Sequence, residues 1–230
     1  MGTTATEGQA RPGLGPLAAW SILALLQIAS GFAAFATRDE TDDSNPLFEI
    51  EFVAASIVIY SLLILLTFGI AAGYMRDFKS ALGFRRFEAR WLGVAAGVIV
   101  AAFVVGAIMT AFGDPAEEQG LAPDRWEPGQ GEVFAFAAIV VVLFVPFAEE
   151  LFFRGLGVSL LKFAGPVVAI SVPAVAFGLA HGIPLALPTL ILLGGGLAWI
   201  RYRSASVWPC FLAHATWNGI ALAVAAGTSF

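Results

Sequence analysis

Apolar residues are grouped along the chain into seven long segments that short polar stretches separate. A membrane-spanning helix needs about 20 consecutive apolar residues, and most of the segments are close to this length. The fourth contains Pro146 and would be about 45 Å long if fully helical, so we expect it to kink, tilt or begin outside the lipid. The pattern predicts an all-α, polytopic membrane bundle of seven transmembrane helices, with approximate ranges 14–36, 50–73, 91–112, 133–162, 164–182, 185–201 and 205–226.

The composition supports this fold class. Hydrophobic residues make up 59% of the chain and charged residues only 13%, whereas about 25% of the residues of a soluble domain are charged. We therefore expect one membrane domain over residues 1–230, with a tail at 1–13, three accessory helices with their loops at 14–132, and four further helices at 133–226. The single cysteine, Cys210, excludes an internal disulfide. The net charge of -5 gives no indication of a nucleic-acid partner.

The distribution of charge predicts the orientation in the membrane. Residues 76–90 are basic, whereas residues 38–51 and 114–132 are acidic. Because basic loops stay in the cytoplasm, we expect the amino terminus inside and the carboxyl terminus outside, in a prokaryotic cell membrane. The first segment ends in "AFAT", which resembles a signal-peptide cleavage site, but its apolar run is longer than a usual signal core. This length favours a retained helix.

A small set of polar residues lies inside these apolar segments. A charged residue at the centre of a membrane helix costs roughly 2.5 to 3.5 kcal/mol on insertion scales and usually faces a protein interior or a wet cavity. Both histidines of the chain belong to the set. Its members are Glu149, Glu150 and Arg154 in the fourth segment, His181 in the fifth, and His214 and Asn218 in the seventh.

The spacing of these residues predicts how they are arranged. Residues four apart share a helix face, so Glu150 and Arg154 can form an internal ion pair, and His214 and Asn218 can face the same space. Glu149 points about 100° away from Glu150, which makes it the free carboxylate facing a cavity. At 1.5 Å per residue, the four residues outside the ion pair fall within one band less than about 10 Å thick. We therefore expect a single polar site.

Each of these features also has a structural explanation. A buried Glu–Arg pair can simply hold helices together. A single histidine or asparagine in a membrane helix is usually a hydrogen bond between helices. The "GGG" of residues 194–196 is typical of close helix packing. Only the occurrence of the whole set in one band favours a functional site.

Three short motifs add a family resemblance. "EELFFR" (149–154) fits E-E-x-x-x-R, "FGLAH" (177–181) fits F-x-x-x-H, and "HATWN" (214–218) fits H-x-x-x-N. In order and spacing they resemble the CPBP family, also called Abi or CAAX-protease-like intramembrane endopeptidases, over about residues 133–220. The resemblance implies a helical fold around a polar intramembrane cavity and hydrolysis of peptide bonds within the membrane. It also implies that Glu149 is the catalytic glutamate and that His181, His214 and Asn218 complete the site.

The mechanism that this implies is activation of water by Glu149, with no cofactor. One glutamate and two histidines could also bind zinc, but the chain has no H-E-x-x-H motif, which favours metal-free catalysis. A proton-coupled transporter and a non-catalytic scaffold or bacteriocin-immunity protein are the alternatives. The expected partners are the lipid bilayer and a peptide or protein substrate, and the sequence leaves open whether that substrate is prenylated. It also leaves the oligomeric state open.

Overall fold

The computed structural model describes residues 13–37, 45–113 and 129–228, and this part of the chain is helical, without strands. The predicted tail at residues 1–13, except Gly13, and most of the two acidic loops lie outside the described residues. The helices are α1 (Leu14–Ala36), α2 (Ile50–Tyr74), α3 (Phe78–Leu82), α4 (Arg90–Met109), α5 (131–161), α6 (Gly165–Ala180), α7 (Leu187–Ser204) and α8 (Trp208–Thr228), with 3₁₀ turns at Pro46–Phe48 and Lys162–Ala164.

The long helices lie on the predicted apolar segments, to within a few residues at each end. Four stretches of the described chain are long and apolar enough to cross a membrane: Leu14–Ala36, Ile50–Tyr74, Arg90–Met109 and Gly131–Ala180. The stretch Gly131–Ala180 contains both α5 and α6. The two helices are separated at Gly165, whose φ of 88° interrupts the helical backbone. The all-helical class is confirmed, whereas the predicted count of seven spans is not.

Helix α5 contains two π-helical pieces along its length. It consists of an α-helical piece (Gly131–Ile139), a π-helical piece (Val140–Phe144), an α-helical piece (Val145–Glu149), a second π-helical piece (Glu150–Gly157) and a last α-helical turn (Val158–Leu161). Pro146 lies at the start of the middle α-helical piece. Proline cannot donate a backbone hydrogen bond. The kink expected at Pro146 appears instead as a change from π-helical to α-helical winding just before it. π-Helical turns are rare and often occur at functional sites.

The second π-helical piece of α5 forms the centre of the bundle. All of its residues are buried, and α2, α3, α6, α7 and α8 pack around it. Helix α1 contacts its Phe152, on which the Trp20 ring stacks with centroids 5.8 Å apart. The Trp20 indole N–H also donates to the Phe152 carbonyl at 3.2 Å. The ionisable residues of α5 therefore lie in the most enclosed part of the fold.

The glycines at 194–196 allow α7 to approach its neighbours closely. A Cβ atom on Gly194 would lie 3.2 Å from the Ala174 carbonyl oxygen of α6, and one on Gly196 would lie 2.5 Å from Val98 Cγ1 of α4. Larger side chains at these positions would push the helices apart. The predicted packing role is confirmed for Gly194 and Gly196, whereas a Cβ atom on Gly195 would make only an ordinary contact with Ala174 at 3.9 Å.

Candidate active site

Two adjacent glutamates lie where the middle α-helical piece of α5 meets the second π-helical piece. Glu149 is 6% exposed, and Glu150 and Arg154 are fully buried. Arg154 Nη1 donates to Glu150 Oε1 at 2.9 Å. The chain thus contains a buried ion pair at the four-residue spacing from which it was predicted.

Arg154 also connects α5 to two further helices. Its guanidinium lies over the Phe177 ring of α6, 4.1 Å from the centroid, and its Nη2 donates to the Gly194 carbonyl of α7 at 3.4 Å. A cation over an aromatic ring in a desolvated place is stabilised by about 2 kcal/mol. Arg154 therefore fixes the relative positions of α5, α6 and α7 around the two glutamates.

His214 of α8 lies between the two carboxylates. Its Nδ1 is 2.9 Å from Glu150 Oε1, and its Nε2 is 3.7 Å from Glu149 Oε2. An ionised carboxylate only accepts hydrogen bonds, so Nδ1 carries a hydrogen and donates it to Glu150. The distance from Nε2 to Glu149 is too long for a direct hydrogen bond. Nε2 is therefore left for a water molecule or a substrate.

The sequence-based description of Glu149 as a free carboxylate needs correction. The Tyr60 hydroxyl of α2 donates to Glu149 Oε1 at 3.2 Å, and His214 faces Oε2. The side chains of Glu149 and Glu150 do point in different directions from α5. His214 nevertheless faces both carboxylates, because its two ring nitrogens lie on different sides of the imidazole. The spacing of residues within α5 could not predict that His214, from α8, would lie beside both glutamates.

Tyr60 is a site residue that the sequence analysis missed. It is half-buried and belongs to an apolar helix, where tyrosine is easily taken for part of the hydrophobic surface. Its hydroxyl could have indicated a polar neighbour, because a buried tyrosine usually finds a hydrogen-bond partner. The structure supplies that partner in Glu149.

His181 reaches the site through Phe177. Its Nδ1 is 2.8 Å from the Phe177 carbonyl oxygen, which can only accept, so Nδ1 donates and Nε2 remains free. The Phe177 ring contacts both imidazoles, with centroid distances of 4.7 Å to His181 and 5.4 Å to His214. Among the described residues, His181 makes no hydrogen bond to Glu149 or Glu150. The Phe177 ring is therefore the link between His181 and the part of the site that contains Glu149 and Glu150.

Asn218 contacts the backbone of the first π-helical piece. Its Nδ2 donates to the Val141 carbonyl at 3.0 Å, which ties α8 to α5 one turn beyond His214. An amide nitrogen carries two hydrogens, so one N–H of Asn218 is still available to another acceptor. Any hydrogen bond from the Asn218 amide to a substrate would use that second hydrogen.

A metal centre and a cavity are two features that a hydrolytic site could have. Within the described ranges, no group of three or more His, Cys, Asp or Glu side chains is arranged to hold a metal ion. Two cavities of the described structure lie elsewhere, one beside Phe84 and Trp208 and the other beside Arg201. The polar intramembrane cavity expected around Glu149 is therefore not confirmed.

Part of the chain, including the helices that contain Glu149, His181 and His214, matches a known protein family. Residues 131–220, from α5 into α8, match the family model described as "Rce1-like: Type II CAAX prenyl endopeptidase Rce1-like". This segment is CAAX-protease-like. The match covers less than half of the chain and confirms the resemblance that the three motifs indicated. No curated protein and no solved structure matches the chain.

The CAAX-protease-like segment points to a function class. Its family indicates a CAAX-type intramembrane protease. Together with the apolar helices, the match indicates an integral membrane protein. Helices α1 to α4 lie outside the match, although α2 contributes Tyr60 to the site.

Proposed function

We propose that the chain is an intramembrane endopeptidase that hydrolyses prenylated CAAX-type peptides by means of water activated by Glu149. The observation that carries the proposal is the pair formed by Glu149 Oε2 and His214 Nε2, 3.7 Å apart, within a segment that matches CAAX prenyl endopeptidases. One water oxygen can lie within hydrogen-bond distance of both atoms. Such a water is positioned to lose a proton to the carboxylate.

The reaction then follows the usual course of general-base hydrolysis. Glu149 takes a proton from the water, and the oxygen attacks the scissile carbonyl carbon. The tetrahedral intermediate collapses with cleavage of the C–N bond, and the proton on Glu149 passes to the leaving amine. The products are a carboxylate and an amine, and the enzyme returns to its initial state.

The other site residues have distinct roles in this proposal. His181 Nε2 accepts a hydrogen bond from the attacking water. His214, when protonated, donates from Nε2 to the oxyanion, and the Glu150 carboxylate at Nδ1 stabilises the positive imidazole, as an aspartate does in a serine protease. The free N–H of Asn218 is the second oxyanion donor. One such donor is worth about 3 to 4 kcal/mol.

The proposal is tested with two matched peptides. Purified protein in phosphatidylcholine nanodiscs is incubated with a farnesylated CAAX peptide and with the same peptide unmodified, and the products are read by mass spectrometry. We expect loss of the last three residues from the farnesylated peptide alone. Equal cleavage of both peptides would overturn the prenyl specificity, and cleavage of neither would overturn the protease assignment.

Replacing Tyr60 with phenylalanine should lower kcat by roughly tenfold or more. The change removes a hydrogen bond to a charged group, which is worth about 1.5 to 3 kcal/mol, and leaves the Glu149 carboxylate less firmly oriented. Steady-state cleavage of the farnesylated peptide measures the effect. Tyr74→Phe, on the same helix but 62% exposed, is the matched control, and an equal loss in both variants would contradict the assignment.

Activity should survive prolonged treatment with a strong chelator. In the proposed mechanism the base and the oxyanion donors are all protein groups, so removal of divalent metal should leave kcat unchanged within about twofold. The measurement compares untreated protein with protein dialysed against the chelator. A loss of activity that zinc alone restores would show that a metal activates the water.

A further inference from the structure

A second polar region lies at the end of the bundle where the basic residues are concentrated. A cavity of about 750 Å³ opens there between the start of α1, the ends of α2 and α7, helix α3, and the turn between α5 and α6. No aspartate or glutamate is among the described residues that line it. Its cations are Arg76, Arg85, Lys162 and Arg201.

Arg201 is the least exposed of these cations. Only 1% of it is exposed, and its Nη2 donates to the Ala81 carbonyl at 2.7 Å and to Ser159 Oγ at 3.2 Å. Its Nε and Nη1 have no hydrogen-bond partner within the described residues. Burying a cation is costly unless an anion compensates it. No described carboxylate lies within ion-pair distance of Arg201.

The fold makes room for this guanidinium. Gly83, which ends α3, has a φ of 86°, and a Cβ atom there would lie 2.6 Å from Arg201 Nε. The Gly83 carbonyl in turn accepts a hydrogen bond from the Val207 N–H at 2.9 Å. Any other residue at position 83 would be strained and would displace the arginine. Arg201 is therefore a built-in part of the cavity wall.

The remaining polar groups point to an anion with several oxygens. Half-buried Lys162 lies over the Tyr202 ring, 5.6 Å from its centroid, and Arg85 Nε donates to Ser80 Oγ at 2.6 Å. Arginine and lysine side chains that converge without a carboxylate are the usual partners of phosphate, which can accept from several donors at once.

We propose that this cavity binds the phosphate of an anionic lipid headgroup. It lies at the end of the helices, where lipid phosphates are found, and basic residues at the cytoplasmic surface attract anionic lipids. None of Glu149, His181, His214 and Asn218 is among the described residues that line the cavity. The lipid site is separate from the proposed catalytic site.

The test uses native mass spectrometry of the full chain in a neutral detergent. The protein is titrated with short-chain phosphatidylglycerol, with short-chain phosphatidylcholine and with inorganic phosphate. We expect one saturable phosphatidylglycerol site, which Lys162→Gln and Arg201→Gln each weaken by about tenfold or more. Lys162→Gln keeps the test decisive if Arg201→Gln does not fold.

Two controls make the result specific. Arg203→Gln removes the same charge from an exposed position two residues along α7 and should leave binding unchanged, as should Glu149→Gln. Equal binding of phosphatidylcholine, or an equal loss in Arg203→Gln, would overturn the proposal. Inorganic phosphate binding as tightly as phosphatidylglycerol would support a phosphate site but overturn the lipid as its source.

Discussion

Replacing Glu149 with glutamine is expected to lower kcat on the farnesylated peptide by roughly 10²- to 10⁴-fold, the usual contribution of a general base. The amide has the shape of the carboxylate and its oxygen can still accept from the Tyr60 hydroxyl, but it cannot take a proton from water. Single-turnover cleavage, read by mass spectrometry, isolates the chemical step. The thermal unfolding midpoint should stay close to that of the unmodified protein.

The control for Glu149→Gln is Glu88→Gln, which removes a carboxylate that pairs with Arg90 on the exposed surface, with a side chain 68% exposed. It should leave both kcat and the unfolding midpoint unchanged. If Glu149→Gln cleaves at the unmodified rate, Glu149 is not the base. A biological activity that persists in Glu149→Gln without any cleavage would instead favour the non-catalytic scaffold.

Replacing Arg154 with methionine is expected to destabilise the fold by about 3 to 5 kcal/mol. Methionine fills much of the same space but leaves the fully buried Glu150 without its cationic partner, and it removes the contacts to Phe177 and Gly194. Thermal denaturation in detergent, followed by tryptophan fluorescence, measures the change. A small effect on the unfolding midpoint would contradict a stabilising role for this ion pair.

Two further variants separate charge from packing in the Arg154 experiment. Arg203→Met makes the same substitution at an exposed position of α7 and should have little effect. The double variant Glu150→Gln/Arg154→Met removes both charges and should recover part of the lost stability, because breaking a buried pair costs more than replacing it. A double variant less stable than the single one would show that packing, not the unpaired charge, dominates.

Much of the helical framework and part of the site could be predicted from the sequence. Apolar segments gave the positions of the long helices, and the interval between Glu150 and Arg154 gave their pairing, because both are properties of a single helix. The glycines at 194–196 likewise indicated close packing. The number of membrane spans was less predictable, because α7 and α8 combine apolar residues with glycines, arginines, His214 and Asn218.

Contacts between helices could not be predicted in the same way. Tyr60 and Glu149 are 89 residues apart in the chain, and nothing in the spacing of either helix indicates that they meet. The position of His214 between two carboxylates also depends on how α8 packs against α5. The π-helical winding from Glu150 to Gly157 is a local feature, but the sequence pattern of an ordinary helix gave no sign of it.

The enclosure of Glu149 has a kinetic consequence. With only 6% of the residue exposed, a peptide carbonyl cannot reach the carboxylate until the side chains of α2 and α8 move apart. The opening step then precedes bond cleavage and can set the turnover rate, as lid motions do in many enzymes. Between turnovers the proposed base is shielded from most of the bulk solvent.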